Sequence, residues 1–112
     1  MIVVTTSEIT GYRISRTLGL VRGNTIRTKH FGKDILASLR YLVGGEVREY
    51  TKMMGQAREQ AIDRMLEEAR ALDADAVVCT RFQTSKIMAG ASEILCYGTA
   101  VKLQPVDLTA PS

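Results

Sequence analysis

Between Glu46 and Leu72 the residues Tyr50, Met54, Ala57, Ala61, Met65, Ala69 and Leu72 recur at three- and four-residue intervals. That spacing places them along one side of an α-helix. Arg58, Glu59, Asp63, Arg64, Glu67 and Arg70 fall largely off the stripe and form a solvated flank. The alanines in the stripe let the helix lie close to a sheet. Gly55, inside it, costs about 1 kcal/mol relative to alanine and suggests a close backbone approach or a local bend. Everything else in the chain has to be arranged around this helix.

The remaining segments read mainly as strands. Ile2–Val4 is short enough for a terminal strand, and Gly11 separates it from Tyr12–Val21, where Ile14, Leu18 and Leu20 share the parity of a half-buried strand. Gly23-Asn24 supplies turn chemistry. A second strand over Thr25–Lys29 would make 12–29 a hairpin-like segment. Asp34 can cap a short helix over Ile35–Val43, closed by Gly44-Gly45. Beyond the long helix, Asp73-Ala74-Asp75 turns the chain into two strands, Ala76–Ser85 and Ile94–Leu103, joined around Gly90. A turn centred on Ala89-Gly90 sets Phe82 opposite Tyr97 and Val78 opposite Val101 on one large apolar face. The other face then carries Val77, Cys79, Arg81, Gln83, Cys96, Gly98 and Ala100. It is too apolar for free solvent and too small-residued for a primary core, which suggests a contact between subunits. The fold class is α+β, with one long helix packed on an antiparallel sheet. A single domain covers 1–103, and 104–112, with Pro105 and Pro111, is a flexible tail.

Composition narrows the function classes. The chain has 112 residues, 46% hydrophobic and 24% charged, ordinary values for one soluble domain. The start Met1-Ile2-Val3-Val4-Thr5-Thr6 lacks the basic region of a signal peptide. No apolar run approaches the ~20 residues of a membrane span. A cytoplasmic location is the resulting expectation, with no membrane partner. The net charge of +3 is uneven: residues 1–56 hold nine Lys/Arg and four Asp/Glu, and 57–112 hold six and eight. Arg13, Arg16, Arg22, Arg27, Lys29 and Lys33 precede the first nearby acid, Asp34. This asymmetry makes an anion-facing surface, a solvated face, or half of a contact with the acidic part of a neighbouring subunit.

Several motifs occur together and in order: Thr5-Thr6-Ser7, Gly11-Tyr12, Leu18-Gly19-Leu20-Val21-Arg22-Gly23-Asn24-Thr25, Val43-Gly44-Gly45-Glu46, Tyr50-Thr51, Ala57-Arg58, Ala74-Asp75-Ala76-Val77-Val78 and Tyr97-Gly98-Thr99-Ala100-Val101. Over about residues 1–103 the chain resembles the YbjQ family of small bacterial and archaeal proteins. The resemblance implies a dodecin-like β-α-β-β topology assembled as a homo-oligomeric ring, a pentamer. It implies no established activity, only a heavy-metal-binding label.

Three chemistries compete for this frame. For a heavy-metal ion the soft ligands are Cys79, Cys96, the methionines and His30, but the short Cys/His spacing of a structural zinc site is absent. Cys79 and Cys96 are expected to share a face about 13 Å apart along the strand, too far for one ion within a subunit. Free cysteines in a chain without a secretory signal are also ordinary buried hydrophobes. For an anion, Arg22, Asn24, Arg27 and Lys29 could present cations and backbone N–H groups to phosphate or RNA. The P-loop pattern is missing, however, and two Phe, four Tyr and no Trp are thin material for base stacking. Nucleic acid is therefore the less favoured partner. For catalysis, His30 is the single histidine, and Thr5, Thr6 and Ser7 are hydroxyl nucleophiles with no base marked beside them. Glu46 and Glu49 suit the positive end of the long helix before they suit acid catalysis. The expectation is a non-enzymatic homo-oligomer binding a metal or small ligand at subunit contacts. The alternative is a phosphate, anion or RNA binder using the basic segment 22–33.

Overall fold

The apolar stripe forms one continuous helix, α1 (Gly45–Ala71), in the computed structural model, which describes residues 1–28 and 45–107. Four strands accompany it: β1 (Ile2–Val3), β2 (Tyr12–Thr28), β3 (Ala76–Met88) and β4 (Ala91–Pro105). They make one sheet in the order β1-β3-β4-β2. β4 runs antiparallel to both neighbours, and β1 adds a short parallel edge to β3, so the sheet is mixed rather than purely antiparallel. The order β2–α1–β3–β4 is the expected β-α-β-β succession. The proposed short helix over Ile35–Val43 lies outside the described residues.

Several expectations fail for physical reasons that the structure supplies. Gly23-Asn24 is not a turn: β2 runs unbroken from Tyr12 to Thr28 and pairs with β4 along its length. Gly23 is needed for close approach instead. A Cβ there would fall against the Ala61 carbonyl oxygen and the Met65 amide nitrogen, and 2.8 Å from the Arg64 Cβ. The helix backbone thus rests directly on the strand. Gly98 does the same within the sheet, where a Cβ would meet the Val77 Cγ1 at 2.6 Å.

The second correction concerns the β3–β4 register. The loop is Ala89-Gly90 as expected, but Phe82 pairs with Cys96, and Val101 pairs with Ala76. β3 carries two irregularities, between Val78 and Arg81 and between Lys86 and Met88, and each adds a residue against the regular β4. An added residue flips the facing of all that follows. The small-residue face is not a spare surface either, because α1 packs on it. Val77, Cys96 and Ala100 are fully buried with Val21, Ala57, Ala61, Met65, Ala69 and Ile94 in the main core beneath α1. Small residues on the sheet match alanines on the helix. Burying the larger members, Met65, Ile94, Val21 and Val77, contributes about 1.5–3 kcal/mol each.

On the opposite face Ala76, Val78 and Val101 form a second cluster, covered by Ile2, Val4, Ile9 and Leu103. The segment after β1 is held there by Cys79 N–H donating to the Thr6 carbonyl (2.9 Å) and Thr80 N–H to the Val4 carbonyl (3.0 Å). β4 continues through Pro105, paired with Tyr12, and Val106 N–H donates to the Gly11 carbonyl at 3.0 Å. Residues 104–106 therefore belong to the fold rather than to the proposed tail.

α1 ends in paired closing bonds: Ala74 N–H to the Ala69 carbonyl (3.1 Å) and Asp73 N–H to the Arg70 carbonyl (2.9 Å). Asp73 takes the left-handed conformation, φ 59°, that such an ending requires. Its carboxylate and that of Asp75 lie 3.3 and 3.6 Å from Lys102 Nζ on β4. Asp75 also accepts the Leu103 N–H at 2.8 Å. That backbone bond, ahead of the Lys102 charge, outweighs partial desolvation and holds the Asp75 carboxyl below its ordinary range. Lys102 is pushed up, first by its hydrogen bond to Asp73.

Gly23→Ala is expected to destabilise the fold by about 1–3 kcal/mol, the usual cost of overpacking, measured by urea denaturation at constant m-value. Asp75 has a lower pKa folded than unfolded, so its contribution is complete above the unfolded value of 3.8 and disappears as pH falls through the folded value. Thermal melts between pH 2 and 6 should show a shallower acid loss for Asp75→Asn, which retains an acceptor for Leu103, than for the unsubstituted chain.

Candidate functional site

The two faces of the sheet divide the candidate residues. Cys96 lies in the main core with its Sγ 3.6 Å from the Met65 Sδ, an S–H donating to a thioether. Burial pushes its thiol pKa up, which keeps it protonated and weakly nucleophilic. Cys79 sits at the bulge between Val78 and Arg81 with φ 54°, half-buried beside the Ala76–Val78–Val101 cluster on the other side. The bulge accounts for the reversal. The two cysteines were expected on one face, and they open on opposite sides of the sheet. No single ion can be shared between them within one chain. The structure does bring Met65 to Cys96, a soft pair that spacing could not reveal because it depends on how α1 registers against β4. Among the described residues no group of three or more His, Cys, Asp or Glu side chains converges.

The basic candidates are divided in the same way. Arg22 and Asn24 are exposed on the open face, opposite Tyr97 and Leu95 of β4. The Asn24 carbonyl accepts from Arg64 Nη1 at 2.6 Å, which ties α1 to the edge of β2. Arg27 belongs to the helix side: it is half-buried and its Nη2 donates to Gln60 Oε1 at 3.0 Å. Lys29, Lys33 and His30 lie outside the described residues. The segment 22–27 is thus two surfaces, because successive strand residues point to opposite faces.

Thr6 and Ser7 line a groove of about 960 Å³ between the segment after β1 and the start of β2, with Glu8, Tyr12 and Arg13. The Thr6 hydroxyl donates to the Glu8 carbonyl at 2.7 Å, a local turn contact rather than activation of the oxygen. Thr5 offers its carbonyl to Arg81 Nη1 at 2.8 Å, so it too is engaged in holding the segment. The sequence marked these hydroxyls. It did not mark Arg13 as their neighbour, since that juxtaposition follows from the course of residues 5–10 between β1 and β2.

The open face has a distinct character. Leu20 is 64% exposed and Ile26 56%, with Arg22 and Asn24 between them on the same face of β2 and Leu95 and Tyr97 half-buried beside them on β4. Along β3, residues 81–88 are exposed on both faces, including Phe82, Ile87 and Met88.

Comparison with known proteins places the chain. Residues 1–104 match the YbjQ family model, whose description reads "Putative heavy-metal-binding". The chain belongs to the YbjQ family. It is 59% identical over 103 residues to a UPF0145 protein of Methanosarcina acetivorans, covering 92% of this chain and 97% of the relative. A UPF0145 protein of Thermosipho melanesiensis is 55% identical over 108 residues, covering 96% and 100%. One from Thermus thermophilus is 56% identical over 105, covering 94% and 92%. None of these names states an activity. Among solved structures, a protein of unknown function from Pediococcus pentosaceus superposes with a TM-score of 0.59 at 15% identity, covering 93% of this chain and 98% of that one. That likeness concerns the fold alone. No helix among the described residues is long and apolar enough to cross a membrane.

The placement of the cysteines in this YbjQ-family chain sets a measurable contrast. A thiol reagent added to the native protein should modify Cys79 within minutes and Cys96 only on unfolding. Equal rates, read by mass spectrometry of the labelled peptides, would contradict the burial described.

Proposed function

We propose that this YbjQ-family chain is a non-enzymatic binding module that assembles as a homo-oligomeric ring, a pentamer, in the cytoplasm, and takes a heavy-metal ion or small ligand where subunits meet. The observation that carries the reading is the exposure of Leu20 and Ile26 on the open face of the sheet, beside the half-buried Leu95 and Tyr97. Arg22 and Asn24 stand between Leu20 and Ile26 on the same face, and such a mixture of apolar and polar groups suits a contact between protein subunits. The chain is also extended. Its principal extents are 66 × 26 × 16 Å and its radius of gyration is 18.9 Å, against about 13 Å for a compact domain of this length. Long strands that outrun their own helix find cover from a neighbour. In a heterologous ring each subunit offers one surface and receives another.

The metal part of the reading has support in the family description and in Cys79, the soft donor that is not sealed in the core. Cys96 and Met65 are buried beneath α1, so an ion at a subunit contact draws on Cys79 from more than one chain. The anion and RNA alternative loses its single surface, because Arg22 with Asn24 and Arg27 stand on opposite faces.

Native mass spectrometry of tag-free protein reads both halves of the proposal. The expected result is a closed oligomer several times 12.3 kDa, shifted to monomer by Leu20→Asp with Ile26→Asp, exposed positions where an isolated chain tolerates charge. Metal uptake should disappear in Cys79→Ser and persist in Cys96→Ser. A 12 kDa species at micromolar concentration would sink the ring, and metal uptake indifferent to Cys79 would sink its assignment.

A further inference from the structure

One row of side chains crosses the helix-facing side of the sheet near its far end. Arg27 on β2 pairs with Ser92 on β4, and Ser92 pairs with Lys86 on β3. Directly opposed residues in antiparallel strands share a face. The two cations therefore flank a serine across three strands, with their backbones roughly 10 Å apart. The same face carries Ile94 and Cys96, both in the core, and the bond from Arg27 to Gln60 confirms that the guanidinium turns toward α1. In the next row Thr25 pairs with Ile94.

Two buried donors in this small region lack partners among the described residues. Arg27 Nε is buried without a hydrogen bond, and so is the hydroxyl of Thr25, a residue only 2% exposed. An unsatisfied buried donor costs about 1–3 kcal/mol, so these two, in neighbouring rows of one face, call for an acceptor. Neither Arg27 nor Lys86 has an ion-pair partner among the described residues. The group that fits must accept several hydrogen bonds and carry negative charge. Every available group, the guanidinium, the ammonium and two hydroxyls, can donate, which excludes a cation.

We propose that this YbjQ-family chain holds a tetrahedral oxyanion, a free phosphate or the terminal phosphate of a monoester, between Arg27, Lys86 and Ser92, with the Thr25 hydroxyl behind it. Gln60 orients the arginine through its Nη2 and leaves the Nε–H for the ligand. Two cations on opposite sides match a dianion better than a singly charged planar carboxylate. The site differs from the basic segment that the sequence singled out: it keeps Arg27, leaves Arg22 and Asn24 on the other face, and recruits two residues from the β3–β4 hairpin. It does not depend on the ring, since all its donors come from one chain.

Isothermal titration with inorganic phosphate, at constant ionic strength against a chloride control, tests the proposal. Saturable binding is expected, weakened about tenfold by Lys86→Gln, the loss of one charge-assisted hydrogen bond. Lys86 is exposed, so this variant keeps its fold. Thr25→Val should weaken binding while raising the melting temperature, because it removes the orphaned hydroxyl. Arg22→Gln should leave binding unchanged. A parallel titration with glycerol phosphate separates the two sources, according to which ligand binds more tightly. No saturable binding above the chloride control, equal affinity in Lys86→Gln, or an Arg22→Gln loss as large as that of Lys86→Gln would each overturn the site.

Discussion

The contact on which the rest of the structure depends is the seating of the α1 backbone on Gly23 of β2. With no side chain between them, helix and strand meet at the Ala61 carbonyl and the Met65 amide. Such an approach leaves room only for small residues nearby, and the core supplies them: Ala57, Ala61 and Ala69 above, Cys96 and Ala100 below. The larger side chains, Met65, Ile94 and Val21, fill the flanks. Interiors are packed densely enough that a single added methyl is felt, so this seating also fixes where α1 lies along the strands. Arg64 and Gln60 then fall beside Asn24 and Arg27, where they make their hydrogen bonds.

Close seating has a cost in coverage. α1 packs chiefly over β2 and less over β4, and the distal half of β3 remains exposed on both faces. The open side of the sheet is protected at one end by the returning segment with Val4 and Ile9, and not around Leu20 and Ile26. The same geometry leaves Leu20 and Ile26 exposed on one face and sets Arg27, Ser92 and Lys86 in one row on the other.

How much of this was legible depended on whether the signal was local. The helix was readable because its stripe repeats through many turns, and Asp73-Ala74-Asp75 announced its end. The terminal strand at Ile2–Val3 and the Ala89-Gly90 loop were equally local. Gly23-Asn24 misled because a glycine required for close approach has the same one-letter appearance as a glycine required for a turn. The β3–β4 register misled because a bulge has no fixed composition, and the one at Cys79 reassigned every facing on one side of it. That shift separated the two cysteines and brought Phe82 to the helix side. Cys96 reached the core for a different reason: α1 packs on the small-residue face of the sheet. The candidate site was legible as a collection of basic residues. Its division between faces was not, because that needs the pairing of β2 with β4 over its whole length.

The position of β4 has a consequence for the order in which the protein can acquire structure. It is the central strand of its half of the sheet, hydrogen-bonded on both sides, yet it is the last strand in chain order. During synthesis, β2 emerges first with most of its backbone donors and acceptors unpaired, and neither α1 nor β3 can satisfy them in its place. α1 can coil by itself, but the floor on which it seats is incomplete until Pro105 has left the ribosome. Contacts this distant in sequence are slow to close, and an unpaired strand of this length is open to wrong partners meanwhile. The sheet therefore closes only once β4 is available, and the nascent chain depends on solvation or on a chaperone until that strand arrives.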